Sequence, residues 1–369
     1  MHMAQSRTRS DTLRAVVLGV GGQGLRRAQA IRLARGWSLA GVYDADPARA
    51  AAAARKLGCE SWPDEATAIV GSAADVVVVA TPPAAHDRQI ESALHAHRHV
   101  LCEKPMTIHA DTASFLAHDA ERRGLVLATG FNHRFYSPVI QVIECVRSNR
   151  LGQICHVEAA IGHPPDDATL NGWLGDRGRS GGGVLIDNGS HLVDLIRSTA
   201  GELGPVKLED ARWHERKPGI DTYLKFCGES GTGATLRAEC SWEHPERPYL
   251  AMEFVFEKGV ARISAFPWKS EFVEYGKPRT ANGHLRDRIA AKWLGFRAPG
   301  LESSLVRELE AIRQAIRGEA RADASTDFGT AHDGARVAEI VESLRNQADA
   351  VMEDRQRSIG QAVPRSRCA

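Results

Sequence analysis

The sequence predicts an α/β protein in two parts: an N-terminal doubly wound parallel sheet and a C-terminal α/β domain with a large open antiparallel sheet. Three observations carry this. Through the first third of the chain, short and nearly continuous apolar runs alternate with helical patterns, as strands buried on both faces of a parallel sheet do. After about Gly130 the pattern changes to longer segments with period-two alternation, such as Leu250 to Phe256, which fits a sheet with one covered face. The length of 369 residues suits two or so domains.

Ala15 to Val20, Leu39 to Tyr43, Asp75 to Ala80, His99 to Cys102 and Leu125 to Thr129 read as the parallel strands. After the second of them, Asp46 is placed to cap a helix that opens on Pro47, has an alanine-rich body and ends before Gly58. Repeated strand, helix, strand units imply right-handed crossovers. Beyond Gly130 the pattern gives a helix from Pro138 to Asn149, a strand near Ile154 to Ile161 and a loop rich in Gly, Asp and Pro. A helix from about Gly183 to Ala200 follows, then antiparallel strands between Val206 and Ala265. Two amphipathic helices, near Leu301 to Arg317 and Thr330 to Asn346, come last.

Hydrophobic residues make up 43% and charged residues 25%, an ordinary globular composition. With 47 Lys plus Arg against 46 Asp plus Glu, the formal charge of +1 argues against a nucleic-acid or membrane-surface partner and for a small molecule. Apolar runs such as Val76 to Ala80 fall far short of the roughly 20 residues of a membrane span. Met1 to Arg14 lacks the apolar stretch of a secretory signal. The seven cysteines are scattered without paired spacings, so neither a disulfide framework nor a zinc knuckle is expected and a cytoplasmic location fits.

Three clusters can carry chemistry. Gly19-Val20-Gly21-Gly22-Gln23-Gly24 follows the first strand and opens a helix, where glycines permit a tight turn and close approach of a pyrophosphate to free N–H groups. Asp44 ends the second strand twenty residues after Gly24, where an acceptor for ribose hydroxyls belongs. Thr81-Pro82-Pro83 and Glu103-Lys104-Pro105 end the next two strands and border the same crevice. Lys104 there either snorkels to solvent or is kept for chemistry. In the run Gly181 to Asp194, helical spacing puts Asp187, His191 and Asp194 on one face among Leu185, Ile186, Leu192 and Val193, so they line a cavity. An Asp/His pair four apart can chelate a metal, but no third ligand is evident, so an acid–base site is the better expectation and no metal is expected.

Together with the Gly130-Phe131-Asn132-His133-Arg134-Phe135 junction, these motifs resemble the Gfo/Idh/MocA family, which includes glucose-fructose oxidoreductase and inositol dehydrogenases. The resemblance covers roughly residues 14 to 345. It implies a dinucleotide-binding Rossmann domain at 14–131 and a substrate-binding and oligomerisation domain at 132–354, while the polar stretch 1–13 reads as a disordered leader and the charged end 355–369 as a flexible tail. It further implies catalysis by Lys104, Asp187 and His191. Cofactor contacts are expected from Gly19, Gly21, Gly22, Gln23, Gly24, Asp44, Ala80, Thr81, Pro82, Pro83, His86, Glu103, Lys104 and Asn132. Substrate contacts are expected from Lys104, Arg134, Trp173, Asp187 and His191. The expected cofactor is NAD. Asp44 disfavours NADP by facing its phosphate, and Arg49 is expected on the following helix rather than beside Asp44.

The expected reaction is hydride transfer between the nicotinamide and a secondary alcohol of a sugar, cyclitol or related polyol. The alternatives are glycoside cleavage through transient oxidation, and a dinucleotide-sensing regulator without catalysis. The expected assembly is a homodimer or homotetramer built on the antiparallel sheet.

Overall fold

The computed structural model describes residues 11–243, 249–265, 268–276, 280–283, 303–319 and 327–362. Most of the expected leader, Cys368 and the last residues of the expected tail lie outside them. The first sheet contains β1 (Leu13–Leu18), β2 (Trp37–Tyr43), β3 (Val76–Val79), β4 (His99–Cys102) and β5 (Leu127–Thr129), parallel in the order β2-β1-β3-β4-β5. Its helices are α1 (Gly22–Leu33), α2 (Pro47–Leu57), α3 (Glu65–Val70), α4 (His86–His95) and α5 (Ala110–Arg122). Strand side chains alternate across the sheet, so both faces of a Val-rich strand are buried. Val76 and Val78 join one core with Ala15, Val17 and Ile31, while Val77 and Val79 join the opposite core with Val16, Leu18 and Ile90. The α2 boundaries follow their chemistry: the Asp46 carboxylate accepts from the amides of Ala48 and Arg49, and Gly58 takes the left-handed conformation at φ 63°.

The second unit opens with α6 (Ser137–Arg147) and β6 (Ile154–Gly162), followed by the short α7 (Asp167–Asn171) and α8 (Arg177–Ser180). The expected helix from Gly183 to Ala200 is in fact a π-helical turn, Leu185–Gly189, that runs into α9 (Ser190–Ala200). The strands β7 (Lys207–Trp213), β8 (Asp221–Glu229), β9 (Thr235–Ser241), β10 (Tyr249–Phe256), β11 (Gly259–Ala265), β12 (Trp268–Glu274) and β13 (Thr280–Gly283) complete an eight-stranded sheet. Its order is β13-β12-β11-β10-β6-β9-β8-β7. It is antiparallel except at the pair β6 and β9, which is parallel. A parallel neighbour needs a crossover, and the helical segment after β6 supplies one before β7 begins. On β10, Leu250, Met252, Phe254 and Phe256 point into the core, whereas Glu253 on the other face pairs with Arg262.

After the second unit the chain returns to the first sheet. Helix α10 (Ser303–Arg317) buries Leu305, Leu309 and Ile312 in the core of β1 and α1. The two-residue strand β14 (Gly329–Thr330) then pairs antiparallel with β5. Finally α11 (Ala331–Ala362) spans both units: Ala331 and Ala338 sit in the nucleotide-domain core, Val337, Ile340, Val341 and Leu344 in the other. This helix runs past Asp354, so the start of the expected tail is helical. No helix among the described residues is long and apolar enough to cross a membrane.

Arg134 pins this return path. Its side chain is buried, pairs with Asp194 and Asp333, and donates to the carbonyls of Asp327 and Phe328 just before β14. Burial pushes the Asp194 carboxyl up even though Arg134 counters it. Substituting Arg134→Met leaves these buried carboxylates without their cation and should lower the unfolding free energy by about 3–5 kcal/mol in urea denaturation.

Candidate active site in the interdomain cleft

The parallel sheet reverses its direction of growth between β1, which continues to β2, and β3, which lies on the other side of β1. Loops at such a switch point form the ligand crevice. After β1, Gly19 sits at φ 84°, which only glycine adopts without strain, and a Cβ on Gly24 would lie 1.8 Å from the Gly19 carbonyl oxygen. A Cβ on Gly21 or Gly22 would meet nothing within 4 Å, so open space lies against the start of α1. Unlike α2 and α3, which Asp46 and Asp64 cap, α1 has no side-chain cap and no acidic residue in its first turn. Its free N–H groups face that space, an arrangement suited to a pyrophosphate.

Asp44 is buried and already engaged: Oδ2 accepts from the Val20 amide at 2.9 Å and Oδ1 from the Asp46 amide at 2.9 Å. The carboxylate therefore braces the glycine loop while retaining lone pairs for ribose hydroxyls. Contrary to expectation, Arg49 does lie beside it, with Nη1 3.5 Å from Asp44 Oδ1 and Nη2 3.1 Å from Asp46. The first turn of α2 brings the guanidinium back over the strand end.

A cavity of about 450 Å³ lies between the two units, and Gln23, Ala80, Thr81, Pro83, Glu103, Lys104, Asn132, Trp173, Asp187 and His191 line it among others. Lys104 extends from the end of β4, and its Nζ donates to Asp187 Oδ1 at 2.9 Å and to the Asp187 carbonyl. The π-turn that carries Asp187 is held at its start by Asp221, whose carboxylate accepts from the amides of Gly183 and Leu185, each at 2.7 Å. His191 is buried at the first turn of α9, with its Nδ1 lacking a hydrogen-bond partner among the described residues. Burial first, then His133, Lys104 and Arg27, hold its imidazole well below the usual histidine range.

Not every expected residue reaches the cavity. Arg134 does not line the cavity, its charge being engaged by Asp194 and Asp333, and Asp194 is drawn to Arg134 instead of joining Asp187 and His191. His86 is fully buried behind the cleft, with Nδ1 2.9 Å from the Pro105 carbonyl and Nε2 2.8 Å from the Thr81 carbonyl. It ties the two crevice loops together and does not line the cavity. Glu103 lines the cavity, but its carboxylate is taken by Arg27 and Gln23. Pro82 and the loop glycines lie outside the cavity lining, and Asn132 donates to Ser304 of α10 at 3.0 Å.

Sequence reasoning missed His133, Tyr136, His163, Asp166, Thr169, Asn188 and Tyr249, all of which line the cavity. His133 stood inside the junction motif. Tyr249, by contrast, reaches the site only through sheet register, opposite Gly162 at the end of β6. Asn188 is fixed by the Trp242 indole, which donates to its Oδ1 at 3.1 Å.

An uncapped glycine-loop helix and an acid at the second strand end define a dinucleotide-binding fold, with a Lys/Asp/His group across the cleft from it. Comparison with known families agrees. Residues 13–131 match the oxidoreductase family with an NAD-binding Rossmann fold, and residues 139–262 match the GFO/IDH/MocA C-terminal domain. The chain belongs to the GFO/IDH/MocA family.

It is 31% identical over 185 residues to glucose-6-phosphate 3-dehydrogenase of Bacillus subtilis, covering 49% of this chain and 51% of that protein. It is 28% identical over 242 residues to an NADP-dependent D-xylose 1-dehydrogenase of Haloferax volcanii, covering 64% of this chain and 72% of that one. The match thus spans about half the length of the first relative. Levoglucosan dehydrogenase, solved with NADH and levoglucosan, shares the fold at a TM-score of 0.78 and 19% identity, over 92% of this chain and 97% of that one.

Because His86 joins the Thr81 and Pro105 loops, His86→Ala should weaken NADH binding about tenfold, the loss of one or two buried hydrogen bonds, in a nicotinamide fluorescence titration.

Proposed function

We propose that this protein transfers hydride between NAD and a secondary hydroxyl of a sugar, cyclitol or related polyol. The observation that carries the proposal is the meeting of Lys104, Asp187 and His191 on one cavity, across from the glycine loop. The sugar dehydrogenases among its relatives support the same substrate class.

Bound NAD supplies the hydride acceptor. His191, kept neutral by its surroundings, takes the proton of the substrate hydroxyl as the O–H bond breaks and the C–H electron pair leaves with the hydride, giving a carbonyl. Lys104 faces the oxygen on which negative charge develops and stabilises it as a fixed cation, held in place by Asp187. Asp187 retains an oxygen to accept from a substrate hydroxyl. Trp173 and Tyr249 supply flat apolar surface, and His163, Asp166, Thr169 and Asn188 supply hydrogen-bonding groups, a lining suited to a polyhydroxylated ring. The outer face of the large sheet, with Glu253 and Arg262 on it, is proposed as the surface of a dimer or tetramer, which sedimentation velocity would detect as species heavier than the 40.1 kDa chain.

Three measurements test the reading. A panel of sugars and cyclitols with free NAD, followed by nicotinamide absorbance, should show turnover; His191→Ala should lower kcat by about 10² to 10⁴ and leave NADH affinity nearly unchanged. A base whose folded value is depressed stays deprotonated as pH falls through 6.5, so the acid limb of kcat/KM should lie below the ordinary histidine value. Loss of rate already at pH 7 would contradict this. Finally, NAD should be preferred to NADP, and Asp44→Ala, which removes the acid while leaving Arg49 at the strand end, should shift the NADP/NAD ratio of kcat/KM at least tenfold toward NADP.

A further inference from the structure

We propose that His133 is a positioning residue that fixes the plane of His191 by ring stacking; the inference rests on the reading of His191 as the base. The two imidazoles lie 3.8 Å apart between centroids with only 14° between their planes. Tyr136 stacks on the other face of His133 at 4.5 Å and 25°. His133 and Tyr136 are three residues apart across the 3-10 turn Asn132–Phe135, the geometry that aligns side chains i and i+3. Three rings thus form one column along the wall of the cavity.

The column answers a question that the hydrogen bonds leave open. In acid–base sites of this kind the imidazole is usually oriented by a partner on its second nitrogen, often a carboxylate. Among the described residues His191 Nδ1 has none. Asp187, the nearby carboxylate, is engaged by Lys104. Among ring neighbours, His133 stacks on one face of His191 and Phe131 lies edge-on with 6.3 Å between centroids. The charged groups that bear on it are Lys104 from the β4 loop and Arg27 from α1. A stacked neighbour suits the base only if it never competes for the proton. Burial, with Lys104, lowers His133 to about 3, so its ring is neutral near neutral pH.

The test uses the full-length chain, ¹⁵N-labelled at histidine and saturated with NAD, with His191→Gln to assign the signal of the base. In the parent, the two-bond correlations of His191 should show one neutral tautomer that does not titrate between pH 5.5 and 8. In His133→Ala the signal should average between tautomers and begin to titrate within that range, and kcat should fall about tenfold with the NAD KM within twofold. His133→Phe, which restores a stacking plane without a nitrogen, should recover the single tautomer and most of kcat. Thermal melts and NADH binding verify that each variant is folded. A His133→Ala variant with the parental His191 spectrum, or a Phe variant as impaired as Ala, overturns the proposal. If the spectra behave as described but His191→Ala keeps full activity, the stack stands and the assignment of the base fails.

Discussion

The rest of the cleft depends on one ion pair. Lys104 and Asp187 are 83 residues apart in the chain, and their charged groups lie 2.9 Å apart. Lys104 follows β4, whose last three residues are buried, so its position is set by the parallel sheet. Asp187 arrives on a π-helical turn, a local widening of the helix that is common at functional sites. Asp221 holds the start of that turn through two backbone amides, and the same turn feeds directly into the helix carrying His191. A disturbance of either element therefore moves both the cation and the base.

A second constraint couples the cleft to the distant C-terminal segment. Arg27 of α1 is completely buried between Glu103, beside Lys104, and Glu308 of α10. Burial alone would discourage its charge, but the two carboxylates more than restore it. One cation cannot neutralise two carboxylates, and desolvation accordingly pushes Glu308 up to about 7, close to neutrality. The loop that presents Lys104 thus rests on a charge arrangement completed from a helix encoded far downstream.

Local chemistry made much of this legible. The glycine loop, the Asp46 and Gly58 boundaries of α2, the β10 alternation and the placing of Asp187 and His191 on one cavity each follow from spacing within a few residues. What escaped the sequence is non-local. Arg134 stands in a motif beside the site, and nothing near it shows that its charge is consumed by Asp194 and Asp333. Helical spacing placed Asp194 with His191, but seven residues that include a π-turn no longer make two regular turns, and the carboxylate leaves the cavity. Arg49 was misplaced because a helix first turn folds its side chains back toward the preceding strand. The strand β14 is too short to carry any periodic pattern.

That two-residue strand and the helix before it have a consequence for the order in which the protein can be made. Most of the nucleotide domain is made before the second unit, yet the partner of β5, the cover over β1 and α1, and the counter-charge of Arg27 are supplied by β14 and α10. Synthesis at about 5–20 residues per second leaves roughly 9 to 35 s between the end of β5 and the arrival of α10. Over that interval the nascent domain carries an open sheet edge and an apolar face, and it is the whole second unit, folding in between, that brings the missing pieces back to it.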